Sequence, residues 1–141
     1  MHPLDTFLDS FNQLDKTSLS LLDSIYHPDI CFIDPAHTLD GLPALKRYFT
    51  SLYDNVRSIR FAFDARMQSG NQAFVTWTME ISHPRLAKGR PVAVDGCSHL
   101  TFAPDGRVIR HRDYFDLGAM IYEHLPLMGR LTRTIKERLG S

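Results

Sequence analysis

The residues best suited to chemistry lie close to the C-terminal end. Ile109, His111, Asp113 and Phe115 alternate with Val108, Arg110, Arg112 and Tyr114. On a strand, such alternation sets a histidine and an aspartate on one face, about 7 Å apart along the chain. If that face looks into the core, an ionised carboxylate leaves water, which is costly unless it is paired or has a task. The other assignment leaves His111 and Asp113 in solvent and turns Val108 and Tyr114 inward, but it also directs two arginines at the core. Asp34 poses the same alternative. It shares a strand face with Ile30 and Phe32, and Asp34-Pro35 ends that strand, either as a turn-capping aspartate or at the mouth of a cavity. Two carboxylates in one apolar cavity disfavour each other's ionisation, so one can give a proton while the other takes one. That is acid–base chemistry needing no cofactor, with His111 orienting Asp113 or sharing its proton.

Other side chains would shape such a cavity. Ser98 offers a hydrogen bond and Gly96, two residues earlier on the same face, leaves room for a ligand. Trp77, Phe115 and Phe32 supply apolar walls, or are plain core. His83 follows Ile81 on one face and sits at the rim, or is a solvated loop histidine. His99 alternates with Ser98 and points outward. His111, Asp113, Asp34 and His83 form a mixed histidine–carboxylate set, but nothing in their spacing demands a metal, and none is expected.

The elements that must position these residues follow from periodicity. The chain has 141 residues, the length of a single domain spanning 1–141, and is 43% hydrophobic. Leu4, Phe7, Leu8, Phe11 and Leu14 predict a first helix, and Leu19, Leu22, Ile25 and Tyr26 a second that stops at His27-Pro28. Residues 29–35 read as a short strand, and 41–56 as a third helix with Pro43 in its first turn. The period then changes from 3.6 to 2. Ile59 to Met67, Val75 to Ile81, Val92 to Phe102 and Ile109 to Phe115 each alternate. Turns fall at Ser69-Gly70-Asn71 and Ala103-Pro104-Asp105-Gly106. Residues 117–139 read as a C-terminal helix broken at Pro126. This order predicts an α+β fold, with a curved, mostly antiparallel sheet wrapped around N-terminal helices and a central pocket.

Composition excludes several classes. Lys plus Arg and Asp plus Glu number 16 each, so nothing draws the chain to nucleic acid or to an anionic membrane surface. No apolar run is long enough to span a bilayer, and Met1-His2-Pro3-Leu4-Asp5 does not read as a leader. Cys31 and Cys97 are far apart and fit no metal spacing, as expected of reduced thiols in a cytoplasmic protein.

The segment Tyr26-His27-Pro28-Asp29-Ile30-Cys31-Phe32-Ile33-Asp34-Pro35, followed by Gly41 and a helix, resembles the opening of ketosteroid isomerase and its relatives. Gly96 to Phe102, then Asp105 to Asp113, resembles the last hairpin of SnoaL-like polyketide cyclases. Both lie in the nuclear transport factor 2-like superfamily, and the resemblance covers about residues 4–117. It implies a cone-shaped fold with Asp34 at the isomerase base position and Asp113 at the cyclase acid/base position, both facing the cavity. It also implies a homodimer formed through the outward sheet face, which carries His99, Arg112 and Tyr114. Ser10 and Ser98 occupy the isomerase's oxyanion-stabilising positions, so steroid isomerisation is not expected. Two functions remain on this reading. One is a cofactor-independent isomerase, cyclase or dehydratase acting on a small apolar or polycyclic molecule; the other is a non-catalytic binding or assembly module of the same fold.

Overall fold

The computed structural model describes residues 3–85, 87–120 and 137–140. Helix α1 (Pro3–Phe11) buries Leu4, Phe7, Leu8 and Phe11 on one stripe, and Asp5 lies in its first turn, where the helix dipole favours an anion. A single turn at Leu19–Leu21 leads into α2 (Leu22–Ile25). Strand β1 (Tyr26–Ile33) and the short β2 (Thr38–Asp40) form a hairpin whose turn is Asp34–His37. Helix α3 (Leu42–Asn55) follows Gly41, whose φ of 88° is one that glycine adopts without penalty, and Pro43 lies in its first turn. Then come β3 (Ser58–Ser69), β4 (Gln72–Ser82), β5 (Val92–Phe102), β6 (Val108–Phe115) and the short α4 (Leu117–Met120). The expected C-terminal helix beyond Met120 falls largely outside the described residues.

The six strands form one sheet in the order β2-β1-β6-β5-β4-β3. All neighbours are antiparallel except β1 and β6, which run parallel. The sheet curls around α1. Strands β3 and β6 are three strand spacings apart, about 14 Å across a flat sheet. Yet the Phe11 ring lies 5.3 Å from Phe61 on β3 and 6.5 Å from His111 on β6. One side chain can reach both only if the sheet folds over it. The result is the expected α+β architecture.

Three local readings needed correction. Tyr26 does not end a helix; it opens β1, which starts three residues earlier than expected and ends at Ile33. On β3 the register slips between Phe63 and Arg66, where three residues span two of β4 (Trp77 to Val75). This bulge reverses the alternation, so Ala65 and Met67 face solvent while Ile59, Phe61 and Phe63 face the core. A similar slip between Thr101 and Phe102 lets Val108 be buried on β6 together with His111. The two faces proposed for that strand are therefore each part of the core, at different points along it.

Candidate active site

Strand register brings the polar residues together. Ser98 on β5 is the direct partner of Asp113 on β6, and both side chains point inward. The Ser98 hydroxyl donates to Asp113 Oδ1 at 2.5 Å. His111, two residues back on the same face, places Nε2 2.7 Å from the same oxygen. On the far side of the imidazole, Tyr26 Oη lies 2.7 Å from Nδ1. Tyr26 reaches this position across a register shift: between the pairs Tyr26–Val108 and Cys31–Arg110, β1 advances five positions while β6 advances two. On the other side, Trp77 on β4 donates its indole N–H to Ser98 Oγ at 2.8 Å.

The five groups form one chain of hydrogen bonds, and donor chemistry fixes its direction. Indole N–H only donates, so Ser98 Oγ accepts from Trp77 and must give its own proton to Asp113. Tyr26 is fully buried, and burial, with the Asp113 charge as a second cause, pushes its hydroxyl well above the ordinary tyrosine range. It therefore remains O–H. Its hydrogen-bond partner among the described residues is His111 Nδ1; a buried hydroxyl without an acceptor would cost about 1–3 kcal/mol. Nδ1 is thus the acceptor and Nε2–H the donor, which makes His111 neutral and sets two donors on Asp113 Oδ1, an arrangement that suits a carboxylate. Both donors converge on Oδ1. Among the described residues no hydrogen bond reaches Oδ2, and Asp113 lines the cavity.

Asp34 combines the two readings the sequence left open. Its Oδ1 accepts from the backbone N–H of Ala36 at 2.8 Å and of His37 at 2.7 Å, which is turn capping. The His37 ring nitrogen lies 3.1 Å from Oδ1. Its side chain is only 5% exposed, and Oδ2 faces the Tyr48 hydroxyl at 3.4 Å. Burial, followed by the Asp34 charge, pushes the Tyr48 hydroxyl above the ordinary range, so it too stays protonated.

Asp34 and Asp113 line one cavity of about 120 Å³ between α1, α3 and the sheet. Phe11, Phe32, Phe49, Phe61, Trp77 and Phe115 are among its walls, with Tyr48 and His37. A void of roughly 150 Å³ in another protein is known to admit benzene, so this space suits a single ring; a polycyclic molecule would have to extend through the mouth. Phe32, Trp77 and Phe115 are all in the lining. His83 does not line this cavity: its Nδ1 accepts the Arg85 N–H at 3.0 Å in the turn after β4. Gly96 leaves room for Trp77 rather than for a ligand, since a Cβ there would lie 2.3 Å from the indole Cη2. Ser10 is outside the lining, and Ser98 is committed to Asp113. Among the described residues no group of three or more His, Cys, Asp or Glu could hold a metal.

Sequence reasoning missed Tyr26, Tyr48 and His37. Tyr48 carried the only usable signal, a hydroxyl on the apolar stripe of α3 with Leu45 and Phe49.

Known structures share this architecture. An NTF2-like protein of unknown function from Burkholderia pseudomallei is 19% identical and superposes with a TM-score of 0.74 over 86% of this chain and 96% of its own. TerC, co-crystallised with polyporic acid, gives 21% identity and a TM-score of 0.72 over 84% and 94%. A protein with a ketosteroid isomerase-like fold from Catenulispora acidiphila, in complex with trimethylamine, gives 15% and 0.68 over 78% and 85%. At these identities the likeness establishes the fold alone. No curated protein is a significant match. The family model described as SnoaL-like domain matches residues 5–111, well over half of the sequence, and the chain therefore belongs to the SnoaL-like domain family.

Proposed function

We propose that this protein binds a small, largely apolar molecule and performs cofactor-independent acid–base chemistry on it, an isomerisation, cyclisation or dehydration with Asp113 as the proton-transferring group. The observation that carries this reading is the fixed hydrogen-bond chain from Tyr26 to Trp77. It holds Asp113 Oδ1 with two donors and leaves Oδ2 without a hydrogen bond among the described residues. In the reaction, a substrate C–H bond breaks, its proton passes to Oδ2, and its electron pair moves into the substrate's π system. Return of the proton to another carbon completes an isomerisation. Ser98 and His111 keep the carboxylate from rotating, and the aromatic walls exclude water, which strengthens the charge interactions inside. Asp34, whose Oδ2 accepts the Tyr48 O–H, is the second carboxylate at the same cavity.

The relatives' small-molecule ligands, polyporic acid and trimethylamine, agree with a ligand-binding cavity. No helix among the described residues is long and apolar enough to cross a membrane, and both cysteines are free thiols; we place the protein in the cytoplasm. Asp113→Asn keeps the shape of the side chain and removes the base. It should melt like the wild type and lose proton-transfer activity by about 10²–10⁴-fold. Full activity in a folded variant would leave the non-catalytic binding module as the better account.

A further inference from the structure

The charge inventory of the cavity points to the class of ligand it takes. Asp113 carries a negative charge among aromatic walls. Its two partners do not neutralise it: Ser98 donates as a neutral hydroxyl, and His111 is neutral because Nδ1 accepts from Tyr26. No lysine or arginine is among the described residues lining the main cavity or the narrow crevice beside it. Arg112, which shares an outer hollow with Asp113 and Asp34, immediately precedes Asp113 on the opposite face of β6 and lies over the Tyr114 ring at 4.8 Å. Asp34 has its own partner in the His37 ring, 3.1 Å away. The main cavity therefore holds two carboxylates and, among the described residues, no lysine or arginine, and Asp113, 14% exposed at its side chain, lies among the rings of Phe115, Trp77, Phe61 and Phe32.

A buried charge without a partner is unfavourable, and a cation entering beside it removes that cost. Aromatic faces add to the attraction, because their negative quadrupoles favour a cation that has left water. An anion meets the opposite situation at every wall. We infer that the site selects a small organic cation, an ammonium or iminium nitrogen on an apolar body of about one ring's size, over neutral and anionic molecules of the same shape. This deepens the acid–base reading of the same cavity: a positive nitrogen next to the reacting carbon makes its C–H more acidic, and Asp113 is the base beside it.

Trp77 is the single tryptophan of the chain and lines the cavity, so its fluorescence reports occupancy. The test is to titrate the wild-type protein with tetramethylammonium, tert-butanol and trimethylacetate, which share a trimethyl-substituted head and differ in charge. Tetramethylammonium should bind about tenfold more tightly than tert-butanol, and trimethylacetate more weakly than either. In Asp113→Asn the cation's advantage over the alcohol should shrink severalfold, the aromatic walls retaining the rest. Equal or tighter binding of the alcohol in the wild type overturns the inference without any variant, as does a cation preference that is undiminished in folded Asp113→Asn. Cation preference without proton-transfer activity would instead retain this inference and sink the catalytic one.

Discussion

At the scale of single residues, the centre depends on which atom holds each proton. Tyr26 is the residue on which the direction of the chain rests, because only its O–H obliges His111 Nδ1 to accept. Its raised pKa also has a consequence for stability. A group whose folded-state pKa lies above its unfolded value contributes stability that is complete below the unfolded pKa, about 10 for tyrosine, and is lost as pH rises towards the folded one. Tyr48 is shifted the same way, and Tyr53 is pushed up to about 12 by burial and, less, by the Asp15 charge. Urea unfolding should therefore show stability falling as pH rises above about 10, with a shallower fall in Tyr26→Phe than in the wild type. Identical alkaline slopes in the two proteins would mean that Tyr26 is not held protonated by the fold.

At the scale of elements, the site rests on strand register more than on loops. The β4–β5 pairing sets Trp77 against Gly96, and the missing side chain lets the indole lie flat enough to reach Ser98. Gly96→Ala forces Cβ into the indole ring, and overpacking of this kind costs about 1–3 kcal/mol. Denaturant titration should show that loss, and adding Trp77→Phe should restore part of it, since contacting sites are not additive. A neutral Gly96→Ala would show that the indole has another position open to it. This contact also marks the limit of the sequence. The alternation of Val75 to Ile81 and of Val92 to Phe102 was legible because both faces of those strands repeat with period 2. It put Ser98 on an inward face, while the alternation of Ile109 to Phe115 left open which face of β6 carries His111 and Asp113. The parallel pairing of β1 with β6 was not legible, since it joins residues about 80 apart and leaves no periodic trace. Tyr26 was consequently read as the end of a helix and not as a partner of His111. Gly96 was read as space for a ligand because nothing in a sequence tells where a neighbouring indole turns. The bulge on β3 was hidden for a related reason: one extra residue reverses a face without altering composition.

At the scale of the whole molecule, the curled sheet has two surfaces with different characters. The inner one closes on α1 and α3 around the cavity. The outer one carries Phe74 and Tyr114, each 48% exposed, with the Phe74 ring stacked on His99 at 4.3 Å and Arg112 over Tyr114. Exposed aromatics of this size on an open sheet suit an interface, and we propose a homodimer formed through that face. Light scattering at micromolar concentration should give twice the 16.1 kDa chain mass; a species of monomer mass alone would refute it.

The inner surface carries the central claim, that Asp113 is a working base aimed into an enclosed aromatic cavity. Cyclohexanone is of one ring's size and has exchangeable protons next to its carbonyl. Incubated with the protein in deuterated buffer and followed by proton NMR, those signals should decay faster than in buffer alone, and Asp113→Asn should return the decay to the buffer rate. A wild-type rate equal to buffer, or a rate unchanged by Asp113→Asn in a protein that still melts normally, would contradict the account.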